Sequence, residues 1–233
     1  DELIPEHPIA AFENGHQHQV PLLIGTNSDE ASFGKFLFQR QSSRERAALR
    51  LLASFDPQHA PEVVAAYDGA VAREDFAHLL ADALFWAPST RIATAHAKVA
   101  PTWMYRFDFA SAVLKWLGLG AMHSMELGNV FGDPQSSRAS LLTGWGSRAE
   151  MEELTSTMQY HWAAFIHGGS PKAQWPRYDG GDRATMIFDE QAYIVHAPND
   201  GRRKAWEDYH MVEWGSGRPE LVRSLGFQPH RRD

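Results

Sequence analysis

The sequence predicts a mixed fold, α/β or α+β, on three observations. A short apolar run ends in a polar turn, an aromatic segment alternates cleanly, and long stretches of helical periodicity fill the spaces between and after them. The first element is Val20-Pro21-Leu22-Leu23-Ile24-Gly25, followed by Thr26-Asn27-Ser28-Asp29-Glu30. A continuous apolar run of this length fits a strand buried on both faces, as in a parallel sheet flanked by helices. Polar residues at the carboxyl end of such a strand stand where α/β sheets place their chemistry.

From about Arg44 to Val99 the pattern is mostly helical, with Glu74, Phe76, Leu79, Leu80, Ala83 and Leu84 at helical spacing. Ala87-Pro88-Ser89 predicts a break and a new helix, because Pro is suited to a first turn. From Thr102 to Phe109 a strand is expected, with Trp103, Tyr105, Phe107 and Phe109 on one face and Met104, Arg106 and Asp108 on the other. Ser147-Arg148-Ala149-Glu150 reads as a capping box, opening a helix whose apolar stripe is Met151, Leu154, Met158, Trp162 and Phe165. Gly168-Gly169 should end it in a left-handed conformation. Two short strands follow at Met186-Ile187-Phe188 and Tyr193-Ile194-Val195, then a last helix from about Arg202 to Trp214.

Composition removes several classes of function. The chain has 233 residues and a formal net charge of −7, with 43% hydrophobic and 12% aromatic residues, enough for a sizeable core. The basic cluster Arg202-Arg203-Lys204 is followed at once by Glu207 and Asp208, a solvated helix end, and no nucleic-acid partner is expected. Cysteine is absent, which excludes disulfides, thiolate metal sites and a cysteine nucleophile, and fits a reducing, cytoplasmic setting. No apolar run approaches the ~18 residues of a membrane span, so no membrane partner is expected. Asp1-Glu2-Leu3-Ile4-Pro5 lacks the basic start and apolar core of a signal peptide, and it lacks an initiating Met. No cofactor is expected. His16 and His18 lie in a Gln-rich loop without a clear third ligand, so no metal site is assigned to them.

Two residues stand out as candidates for chemistry. Glu30 closes the turn after the first strand, where a carboxylate either orients a histidine or caps a following helix at its positive end. His123 lies in Gly118-Leu119-Gly120-Ala121-Met122-His123-Ser124-Met125-Glu126-Leu127, a glycine-containing loop able to present an imidazole to a cleft. Among 12 histidines, composition alone does not single it out.

Together these segments resemble the type B carboxylesterases, the family that includes the cholinesterases. Val20 to Asn27 with Asp29-Glu30 is similar to that family's acid strand, and Gly120 to Leu127 with Val130-Phe131-Gly132 to its histidine loop. Trp162-Ala163-Ala164-Phe165, Gly168, Pro171, Trp175-Pro176, Tyr178, Met186 and Phe188 resemble its closing helix and tail. The resemblance implies an α/β-hydrolase fold, of which residues 1–233 form the C-terminal portion of the sheet and its covering helices. It also implies Glu30 as triad acid, His123 as base, Glu126 as a buried supporting acid and Phe33 as a substrate-pocket aromatic or a core filler. The substrate would be a small-molecule ester. Ser124 departs from the family, which usually has Gly after the histidine.

The nucleophile of this fold sits in Gly-x-Ser-x-Gly, a strained strand-to-helix turn. Gly144-Trp145-Gly146-Ser147, Gly168-Gly169-Ser170-Pro171 and Gly215-Ser216-Gly217 all lack that spacing, and the Gly-Gly element of an oxyanion hole is also missing. Triad order in this class is nucleophile, acid, histidine, so the serine is expected before Asp1, in a parent protein about twice as long. The expected partner is that N-terminal part, as a nicked, gapped or separate polypeptide. This chain alone is expected to hydrolyse nothing. The alternative is a non-catalytic, cholinesterase-like binding or adhesion protein; the presence of both Glu30 and His123 favours the enzyme.

Overall fold

The computed structural model describes residues 5–133, 148–211 and 214. Ser147 and its capping box, the Gly-Ser segments at 144–147 and 215–217, and the start at 1–4 lie outside the described residues. A four-stranded sheet runs in the order β1 (Leu22–Asn27), β2 (Thr102–Phe107), β3 (Ala184–Phe188), β4 (Ala192–His196). The first three strands are parallel, and β4 returns antiparallel on β3. The β1–β2 register sets Asn27 beside Phe107, so both strands deliver their carboxyl ends to the same rim.

Alternation along β2 divides the core between the two faces of the sheet. Trp103, Phe107 and Phe109, with Tyr105, pack on one face against Met151, Leu154 and Met158 of the long helix Arg148–Gly168. On the other face Met104 and Ile24 meet Leu52, Val63, Phe76 and Leu79 from the helices between β1 and β2. Those helices are α3 (Gln41–Ala53), α4 (Ala60–Ala65), α5 (Arg73–Ala81) and α6 (Ala87–His96), preceded by α1 (Pro8–Glu13) and α2 (Gly34–Leu37). Later come α7 (Ala112–Trp116), α8 (Leu127–Phe131), α9 (Arg148–Gly168) and α10 (Asp200–Glu207). The stripe expected on α9 is the packed one, and Gly169 ends it at φ +71°, its N–H donating to the Phe165 carbonyl at 2.8 Å.

Four expectations need correction. Among the described residues β1 lies at one end of the sheet, and Leu22 to Gly25 are there half-buried rather than covered on both faces. Pro88 stands in the first turn of a new helix, α6, as expected, but there is no break before it: α5 passes through a π turn, Asp82–Trp86, straight into α6. A π turn accommodates an extra residue, which absorbs the amide that Pro lacks and rotates the helix beyond it. Leu84 is therefore 46% exposed, while Phe85 and Trp86 turn in. The final helix stops at Glu207 because Tyr209 and Met211 are buried out of helical register, with the Tyr209 hydroxyl donating to the Leu52 carbonyl at 2.7 Å. β2 ends at Phe107, and the Asp108 and Phe109 amides both donate to the Phe188 carbonyl.

The basic cluster is paired rather than free. Arg202 reaches Asp82 at 3.0 Å, Arg203 bonds Asp200 and Glu207, and Lys204 bonds Asp200. No helix among the described residues is long and apolar enough to cross a membrane.

Candidate active site

Glu30 stands three residues past the carboxyl end of β1 and is 6% exposed. Its Oε1 accepts the Asn27 backbone N–H at 2.8 Å, which closes the turn on itself. Its Oε2 lies 2.6 Å from Nδ1 of His123, 93 positions away in the sequence. With Nδ1 held by the carboxylate, Nε2 of His123 is the free nitrogen, and that side chain is 58% exposed. The two predicted residues thus meet, one buried and one open to solvent.

A second set of bonds fixes the loop that carries His123. The Asn27 side-chain amide donates to the Met122 carbonyl at 2.6 Å and to Glu126 Oε2 at 2.7 Å. Asp29 and Ala121 exchange a pair of bonds, backbone N–H to carbonyl at 3.1 Å and backbone N–H to carboxylate at 3.2 Å. The Ser32 hydroxyl bridges the Asp29 and Leu119 carbonyls, and Lys35 Nζ donates to the Gly118 carbonyl at 2.5 Å. Gly120, at φ +62°, lies so close to Asp29 that a Cβ there would stand 2.2 Å from a carboxylate oxygen. The acid turn and the histidine loop are therefore one hydrogen-bonded unit.

Burial is the largest influence on the Glu30 carboxyl and pushes its pKa up. The Asn27 N–H and the His123 ring pull it back, the Glu126 charge opposes them, and the net direction is upward. Phe85 covers His123, with ring centroids 4.7 Å apart and planes inclined by 31°.

Glu126 joins the same unit through Asn27, but it is half-buried rather than buried as the resemblance implied. Phe33 is 51% exposed beside the acid turn. His16 pairs with Glu6 at 2.5 Å. Ser124 sits at φ +66°, the left-handed region, which accounts for the Gly that the resembling family has there. A cavity of about 360 Å³ between α6 and α10 contains neither Glu30 nor His123; the site rests on its hydrogen-bond geometry.

The residues missed from sequence are Asn27, Asp29 and Phe85. Asn27 and Asp29 stood inside the acid-strand motif without a role beyond turn and cap chemistry. Phe85 had one usable signal, Pro88 in the middle of a helical pattern, which points to a distorted turn just before it.

The carboxylesterase family model matches residues 1–206. A para-nitrobenzyl esterase of Bacillus subtilis (strain 168) is 31% identical over 211 residues, covering 86% of this chain and 40% of the relative. The pyrethroid hydrolase Ces2a of Mus musculus is 26% identical, covering 88% and 40%. Among solved structures, a PNB esterase superposes with a TM-score of 0.72 at 29% identity, covering 87% of this chain and 41% of that one. The Geobacillus stearothermophilus carboxylesterase EST55 gives 0.69 at 26% identity, covering 86% and 43%. The chain thus spans about two fifths of the length of these relatives, and its strands and covering helices are part of an α/β-hydrolase fold. With most of its length matched by the family model, this chain belongs to the carboxylesterase family.

Proposed function

We propose that the protein of which this chain is part hydrolyses carboxylic esters through an acyl-enzyme, with His123 as base and Glu30 as the triad acid. His123 Nε2 takes the proton of a serine hydroxyl as that oxygen attacks the ester carbonyl, then gives it to the leaving alcohol. Glu30 holds the ring in the required tautomer and stabilises its charged form. Glu126 supports the loop through Asn27, and Phe33 lines the substrate pocket.

The observation that carries this reading is the 2.6 Å contact between Glu30 Oε2 and His123 Nδ1, anchored by Asn27 on both sides. The serine and oxyanion hole belong to a preceding segment, and residues 1–233 make the C-terminal part of a single hydrolase domain with it. Triad order and the coverage of the relatives support that division. So does β1, whose apolar sequence suits an interior strand although it ends the sheet among the described residues. The relatives' names concern para-nitrobenzyl esters and pyrethroids, which favours small-molecule esters as substrates.

The test is labelling of the complete protein with a fluorophosphonate ester, followed by peptide mass spectrometry. One adduct is expected, on a serine outside residues 1–233, and His123→Ala should slow both labelling and ester turnover by ~10³-fold or more. An adduct inside residues 1–233 would overturn the division of the triad. Turnover unchanged in His123→Ala would overturn the mechanism, and an inert complete protein would return the non-catalytic binding reading.

A further inference from the structure

Asp56 lies in the turn after α3, His59 immediately precedes α4, and His210 follows α10. The fold brings Asp56 and His210 together across 154 positions. One carboxylate oxygen and one ring nitrogen from each histidine all lie within 4.8 Å of one another. The two rings are 5.6 Å apart at 62°. Asp56 is buried, His59 half-buried and His210 exposed, so the cluster is rooted in the protein and opens outward.

We infer that Asp56, His59 and His210 form a binding site for a borderline divalent cation such as Zn²⁺, with the remaining coordination position open to water. Two imidazoles and one carboxylate suit Zn²⁺, whereas Mg²⁺ and Ca²⁺ favour all-oxygen sites.

The site is also largely formed in advance. The Gln58 and His59 amides donate to Oδ1 at 3.1 Å each, and the His210 amide donates to Oδ2 at 2.9 Å. The carboxylate and both histidine backbones are therefore fixed, leaving only side-chain adjustments. His59 Nδ1 now donates to Asp56 Oδ2 at 2.7 Å. When a cation takes the place of that proton, the neutral ring keeps its single proton on Nε2. Such a cation would tie the α3–α4 turn to the segment carrying the buried Tyr209 and Met211. The expected effect is on stability, since none of the three residues belongs to the Glu30–His123 unit.

The experiment uses the complete protein freed of metal with EDTA, titrated calorimetrically with ZnCl₂ and melted with ZnCl₂ or MgCl₂. One Zn²⁺ per chain is expected, at about micromolar affinity or tighter, with a melting temperature raised by Zn²⁺ and not by Mg²⁺. His59→Asn keeps an N–H donor for Asp56, and His210→Asn changes an exposed side chain. Each should weaken binding about tenfold or more, while His16→Asn, a surface control, should not. Equal Zn²⁺ affinity in His210→Asn and the wild type, absence of Zn²⁺ binding, or equal stabilisation by Mg²⁺ would each overturn the site. Turnover by the zinc-free enzyme tests the esterase reading separately.

Discussion

Among the described residues two buried carboxylates each hold the Nδ1 of a histidine, and they behave in opposite ways. Glu30 meets His123 at 2.6 Å and Asp56 meets His59 at 2.7 Å, so distance does not separate them. The difference lies in the other partners. Asp56 accepts three backbone N–H groups besides the ring, and its pKa falls to about 2. Glu30 accepts one, from Asn27, and burial prevails, so its pKa rises. A saturated carboxylate is fixed in one state and organises the chain around it. An under-saturated one is costly to keep charged, and an imidazolium forming beside it relieves that cost.

Glu30→Gln gives the largest expected effect. The amide cannot accept from both Asn27 N–H and His123 Nδ1–H, so the ring loses its tautomer. In the complete protein kcat/KM should fall by ~10³–10⁴-fold, measured by steady-state ester turnover. The same change removes a charge that folding buries, so the melting temperature should hold or rise. A parallel loss of activity and stability would show that Glu30 is structural like Asp56.

Asp56→Asn should do the reverse. Its amide group brings a donor against backbone N–H groups, at about 1–3 kcal/mol of stability, with kcat unchanged. Urea unfolding should register the loss. The pH dependences also have opposite signs. The folded pKa of Asp56 is lowered, so its contribution is complete above the unfolded value of ~3.9 and is lost as pH falls towards about 2. The folded pKa of Glu30 is raised, so its contribution is present below the unfolded value and disappears as pH rises through the folded one. Asp56→Asn should flatten the acid limb of the stability profile, and Glu30→Gln should not.

Gly120→Ala tests the link between turn and loop. Its Cβ would stand 2.2 Å from Asp29 Oδ2 at a backbone φ of +62°, so the loop must shift. The expected cost is about 1–3 kcal/mol, with turnover falling because His123 moves relative to Glu30. Stability lost without any change in turnover would mean that the Asp29 contacts do not position His123.

Legibility followed the range over which each feature is determined. The strands were visible because alternation and apolar runs are local: Trp103, Tyr105 and Phe107 lie on the face that the pattern assigned. Glu30 and His123 were visible only through the resemblance, since nothing local separates His123 from the other histidines. The π turn was not legible, because one extra residue in a turn leaves no periodic trace, and its product is the Phe85 ring against His123. The Asp56–His59–His210 cluster was hidden by the 154 positions between its members. The early end of α10 came from tertiary burial of Tyr209 and Met211, which outweighed the local helical pattern.

Ser124→Gly has the smallest expected effect and is the most local test of how the site is built. Ser124 is exposed and holds φ +66°, which costs a non-glycine residue ~1–2 kcal/mol. Glycine removes that strain, but its greater freedom in the unfolded chain returns ~0.5–1 kcal/mol. The net gain should be at most about 1 kcal/mol, a rise of up to roughly 2–4 °C in the melting temperature for a chain of this size. The Ser124 carbonyl accepts the Leu127 N–H at 3.4 Å and the Asn27 side chain holds Met122 and Glu126 on either side, contacts that do not use the serine hydroxyl, so kcat should not change. A drop in kcat with stability intact would assign the hydroxyl a part in the chemistry beside His123. A drop in stability would mean that the serine side chain, and not the loop alone, holds the left-handed turn.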